Sequence, residues 1–92
     1  MIYEIIAVRL QITPEELERE SLRVFLTHRL HLIESQLLDF TSKYGVKTII
    51  EMDRLVQSGQ IHEVQAFEDY FIFDHLEAER DLTMEALGEL DK

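Results

Sequence analysis

The stretch K-Y-G-V-K-T-I-I-E-M, Lys43 to Met52, decides how this chain folds. For thirty residues before it the sequence keeps a helical rhythm, and here that rhythm stops, turns and restarts. Gly45 supplies the left-handed residue that ends a helix, and Val46 can fold back onto the last turn. Thr48-Ile49-Ile50-Glu51 then has the form of a capping box: a hydroxyl takes the first free N–H groups, and a carboxylate three residues on reaches back. It opens a short helix through Ile49, Met52, Leu55 and Val56 that Ser58-Gly59 closes. Two glycines therefore bracket a helical corner at which the chain reverses.

On the upstream side, Thr13-Pro14-Glu15-Glu16 marks a helix start. Thr13 is the N-cap, Pro14 sits where its missing N–H costs nothing, and Glu16 falls three residues after the cap. The apolar stripe that follows is Leu22, Leu26, Leu30, Ile33, Leu37, Phe40 and Tyr44, and its spacings of 3 and 4 form a seam for a helix packed at a shallow angle. Downstream, a third helix is expected from near Glu63 to Leu90. At 100° per residue it carries two apolar stripes: Val64, Phe67, Phe71, Ala78 and Leu82 on one side, with Tyr70 at the edge, and Ile72, Phe73, Leu76, Leu87 and Leu90 on another. One other long helix covers one stripe. The second, with Phe73 and its neighbours, is expected to be covered by another chain, because leaving such side chains wet is costly.

Before Thr13, the run M-I-Y-E-I-I-A-V-R-L-Q-I ends with Ile6, Val8, Leu10 and Ile12 alternating with Ala7, Arg9 and Gln11. That period of two predicts a strand or extended arm, paired most simply with the same strand of a second copy. The expected fold is therefore a single, mainly α domain of 92 residues: an arm over 1–12, a long helix over 13–44, a short helix over 48–58 and a long helix over 63–90. The two long helices form an antiparallel hairpin, and the whole is oligomeric.

Composition narrows the function. Hydrophobic residues make up 46% of the chain, too many for disorder, and three glycines and one proline leave long regular elements uninterrupted. Cysteine is absent, which removes disulfides, thiolate metal ligands and a cysteine nucleophile. No secretory leader pattern and no apolar run of about 18 residues is present, so a cytoplasmic protein with no membrane span is expected. The net charge of −10 is uneven: residues 1–31 hold four arginines against five glutamates, and residues 32–92 hold five basic and fourteen acidic side chains. Such a surface repels phosphate and attracts basic proteins.

Each candidate for chemistry has a plainer reading. His28, His31 and Glu34 are spaced as metal ligands, but they drift about 120° round the helix and miss the seam, which favours solvated polar residues. A di-iron bundle needs Glu-x-x-His, and no histidine here has Glu three residues before it. Glu68-Asp69 and Asp74-His75-x-Glu77-x-Glu79 supply carboxylates on one helix surface, where acid–base catalysis would need them opposed across a cleft. Asp74 lies within an apolar stripe, so it either pairs with Arg23 or Arg29 or presents its charge to a basic partner. Ser21, Ser35 and Ser42 lack a nucleophile-elbow setting, and no phosphate-binding glycine loop exists. Arg9 and Gln11 resemble the reading face of a β-ribbon repressor, but one arginine per strand and a charge of −10 argue against nucleic acid. No catalytic residue, cofactor or metal is expected.

The order of a short arm, the helix T-P-E-E-L-E-R-E-S-L-R-V-F-L, the corner K-Y-G-V-K-T-I-I-E-M, S-G-Q-I and A-F-E-D-Y-F-I-F-D-H-L-E-A resembles small prokaryotic antitoxin-like proteins of toxin–antitoxin modules, over about Val8 to Leu90. The resemblance implies a non-enzymatic binder that occupies a toxin, often dimerises through its N-terminal portion and sometimes represses its own operon; for this acidic chain the expectation is that it self-associates and covers a basic, toxin-like partner. It carries over no catalytic residues, and the basic arm of DNA-binding versions is absent. The expected function is an interaction module with Tyr70, Phe73, Leu76, Leu87 and Leu90 as apolar anchors and Asp69, Asp74, Glu77 and Asp81 as charged determinants. The rival readings are a structural homo-oligomer and a metal-binding helical bundle that assembles His28, His31, Glu34 or His75 across subunits.

Overall fold

The computed structural model describes residues 1–59 and 64–92, and the described residues form four helices and no strand. They are α1 (Ile2–Leu10), α2 (Pro14–Tyr44), α3 (Ile49–Gln57) and α4 (Val64–Leu90). The expected start of the last helix at Glu63, and the side chain of Val64, lie outside the described residues. α2 and α4 run antiparallel as the arms of a hairpin, and the molecule measures 60 × 24 × 19 Å.

The corner follows from the residues that signal it. α2 opens on Thr13, whose hydroxyl accepts from the Glu16 N–H at 3.0 Å, and ends at Gly45 with φ 70°, in the left-handed region. Val46, next in the chain, is 3% exposed. Thr48 then caps α3 by accepting from the Glu51 N–H at 3.2 Å, while the Glu51 carboxylate accepts from the Lys47 N–H at 2.7 Å. α3 closes at Ser58, followed by Gly59 at φ 75°.

The first twelve residues depart from the expected strand. Residues 2–10 are helical, and Gln11 ends the helix in the left-handed region at φ 58°, with the Ile12 N–H donating back to the Ala7 carbonyl at 3.0 Å. A strand would need a partner to satisfy its backbone, and the described residues supply none, whereas a helix satisfies its own. α1 turns at Gln11–Thr13 and lies back against the start of α2, where Ile2, Tyr3 and Ile6 line a hollow with Leu17 and Ser21.

The core lies at the corner end of the rod. Ile33, Leu37, Val46, Met52, Phe73 and Leu76 form one buried cluster, with Phe40, Tyr44, Ile49, Leu55 and Tyr70 packed around it. The Phe40 and Phe73 rings meet at 5.7 Å and 59°, a tilted contact across the hairpin. The opposite end is thinly packed: Leu26, Leu30, Leu87 and Leu90 are half-buried, and Ala7 is the one buried side chain in residues 1–32. Polar links tie the arms together there. Arg19 donates to the Leu90 carbonyl, Arg23 pairs with Asp91 at 2.9 Å, and Arg29 reaches Glu79 at 3.4 Å.

Candidate functional site

α4 decides which surface is available, and the structure turns it the opposite way from the expected one. Phe73 (1% exposed) and Leu76 (6%) lie in the hairpin's own core, and Leu87 and Leu90 are half-buried against α2. Of that stripe, Ile72 remains half exposed. The other stripe faces outward: Phe67 is 49% exposed, Phe71 67% and Leu82 65%, and Ala78 is exposed with them. The cause is Asp74. It lies on the same side as Phe71 and Ala78, so turning that side inward would strip a carboxylate of water among apolar neighbours. With Phe73 and Leu76 inward, Asp74 stays exposed. Its expected ion pairs are not made, since Arg23 pairs with Asp91 and Arg29 with Glu79.

Two carboxylates expected at a partner contact serve the fold instead. Asp69 is 5% exposed and accepts from Lys43 Nζ at 2.8 Å and from the Tyr44 hydroxyl, fastening the last turn of α2 to α4. Lys43 also lies 5.2 Å from the centre of the Tyr44 ring. The hydrogen bond to Asp69 holds the Lys43 ammonium above its ordinary pKa, and burial followed by the bond to Asp69 pushes the Tyr44 hydroxyl up. Glu77 accepts from the Ile49 N–H at 2.6 Å, so a carboxylate from α4 occupies the positive end of α3. Tyr70 is half-buried at the core's edge, edge-on to Phe71 at 5.4 Å; burial, then Asp53, raises its pKa. Asp81 is exposed, 3.2 Å from Arg80.

What remains outward on α4 is a strip of Phe67, Phe71, Ala78 and Leu82 edged by exposed Asp74, Asp81 and Glu85. Periodicity puts Phe67, Phe71 and Leu82 on one of two apolar stripes without ranking them; the charge of Asp74 on the same side is the signal that points this one outward. His28, His31 and Glu34 are all exposed, and His75 lies 3.3 Å from Glu79 on the same helix. Among the described residues no three His, Asp or Glu side chains gather as a metal-ligand set. No described helix is long and apolar enough to cross a membrane.

A second open apolar surface lies at the far end. α1 exposes Ile2, Ile5 and Val8, and the back of α2 exposes Val24, Phe25 and Leu32. A helix apolar on nearly every side belongs in an interior, yet α1 is covered on one side only.

Hairpin and surfaces together define a small helical protein whose open features are apolar strips and carboxylates. The chain belongs to the Uncharacterized protein MJ0235 family, whose model matches residues 1–92. No curated protein and no solved structure matches it.

Proposed function

We propose that this chain is a non-catalytic interaction module that self-associates and occludes a basic partner protein through the outer face of α4. The observation that carries this reading is the strip of Phe67, Phe71 and Leu82, each about half or more exposed, bordered by Asp74, Asp81 and Glu85. Exposed aromatic side chains are the usual anchors of a protein contact, and bordering carboxylates steer and select a cationic partner. The strip runs along one helix, so an amphipathic basic helix is the occupant that fits it. Asp69 and Glu77, committed to α2 and α3, hold the strip's helix in place rather than touching the partner. The resemblance to antitoxin-like proteins suggests a toxin-like protein as that partner, and the mechanism is occlusion rather than chemistry.

The test is purification from native expression of the wild-type chain and the Phe71→Asp variant. A stoichiometric basic protein that accompanies the wild type and is lost from the variant supports the reading. Recovery of the chain alone, or a partner that Phe71→Asp leaves bound, overturns it.

A further inference from the structure

The α1 end presents two open apolar surfaces on one chain, and they fit each other. Leu17, Ser21, Phe25, His28 and Leu32 follow one another on the back of α2 at spacings of 4, 4, 3 and 4, the rhythm of a helix-packing seam. The chain's own α1 lies against the first part of that seam, where Ile2, Tyr3 and Ile6 line a hollow with Leu17 and Ser21. Its second part, Phe25 to Leu32, is bare, and a hollow lined by Glu20, Ser21, Val24 and Phe25 opens where the cover stops.

Lengths sharpen the fit. α1 has nine residues, about 13.5 Å of helix, and Pro14 to Leu32 spans nineteen, about 28 Å. The back of α2 therefore holds two α1 helices end to end, and one chain provides one. We propose that a second copy of the chain supplies the other: two molecules pack about a two-fold axis near residue 23, with their α2 helices antiparallel and each α1 between its own α2 and its partner's. Each α1 then covers the partner's bare seam with the outward face that its own chain leaves wet. In this register Ile5 lies towards the partner's Phe25 and Val8 towards the partner's Leu32, and the second contact repeats the first.

Charge selects a second copy over another occupant. Two chains of net charge −10 repel least across their least charged surface, and α1 with the first part of α2, residues 1–31, sums to −1, while the acidic residues of α4 at this end lie across α2 from the bare seam, where Arg23 meets Asp91 and Arg29 meets Glu79. A basic partner is drawn instead to the carboxylates along the outer face of α4. Packing agrees, because residues 1–32 bury only Ala7, so this half of the rod lacks a core of its own. Six large side chains, each about half or more exposed, offer several hundred Å², and a stable interface draws on the order of 800 Å² from each partner. The inference deepens the self-associating part of the reading above and is independent of the basic partner.

Sedimentation equilibrium and disulfide trapping of the full chain test it. The wild type should have about twice its 10.9 kDa chain mass. Phe25→Glu and Ile5→Glu should each reduce it to one chain mass with helical circular dichroism retained, and Leu82→Glu should leave the dimer intact. The native chain has no cysteine, so Val8→Cys and Leu32→Cys molecules, mixed and oxidised, should give a mixed disulfide dimer in high yield. A wild type that stays monomeric at 100-fold higher concentration sinks self-association altogether. A dimer that survives Phe25→Glu and yields no mixed disulfide sinks the α1 arrangement alone. A monomer that sediments with phosphatidylglycerol vesicles, and loses that with Phe25→Glu, assigns the surface to lipid and overturns the proposal.

Discussion

Phe71 and Phe73 sit two residues apart on α4, and the same substitution at each should have very different consequences. Phe73 is 1% exposed and packs on Phe40 inside the buried cluster. Truncation to alanine removes on the order of 150 Å² of buried apolar surface, which at about 25 cal/mol per Å² is about 4 kcal/mol. Incomplete relaxation of the cavity brackets this at about 3–5 kcal/mol. Phe71 is 67% exposed, so one third of that area is at stake, and Phe71→Ala should cost about 1 kcal/mol, including its edge-on contact with Tyr70. For a domain of 92 residues, a gap of about 3 kcal/mol corresponds to a midpoint difference on the order of 15 °C. Urea denaturation followed at 222 nm, at one protein concentration for all variants, measures both losses. Equal losses at the two positions, or a larger loss at Phe71, would refute the orientation of α4 and with it the outward strip.

Glu77→Ala removes the acceptor for the Ile49 N–H at the start of α3 and should cost about 1–2 kcal/mol in the same assay, as the loss of a helix cap does. Gly88 lies within α4 with nothing within 4 Å of an added Cβ, so Gly88→Ala should stabilise the chain by about 0.5–1 kcal/mol; a loss would place a neighbour there. Alkaline pH should weaken the fold through Lys43 and Tyr44. Both pKa values lie above their ordinary 10.5 and 10.0, so the folded state binds the two protons more tightly than the unfolded chain. Their contribution is complete below about pH 10 and is lost as pH rises through the folded values. Urea midpoints from pH 9 to pH 12 should fall more steeply for the wild type than for Asp69→Asn, and parallel curves would contradict the Asp69 contact.

The corner was legible because its signals are local. Thr13-Pro14, Gly45, Thr48 with Glu51, and Ser58-Gly59 each act through the backbone within a few residues, and each stands where the sequence puts it. The seam from Leu26 to Tyr44 was legible because α2 has one long partner, and its residues face α4 or the corner. Two features were not. The alternation Ile6, Val8, Leu10, Ile12 matches a strand, but strand formation depends on a partner that a period cannot supply, and the left-handed turn at Gln11 gave no sign in the residue type. On α4, two stripes of nearly equal apolarity competed for the inside, and periodicity alone could not rank them. Asp74 adds a charge to desolvate on one stripe, whereas Asp69 on the other is met by Lys43 and Tyr44, and a period weighs neither. Asp69 and Glu77 read as surface charges because their partners, Lys43, Tyr44 and the Ile49 N–H, lie 25 to 28 residues away.

Side-chain oxidation by hydroxyl radicals, read residue by residue in the free chain and in the complex recovered from native expression, tests most directly that the outer face of α4 is the working surface. Phe67, Phe71 and Leu82 should oxidise in the free chain and be protected in the complex, with Phe73 and Leu76 protected in both. Oxidation at Phe71 that is the same with and without the partner would contradict the account.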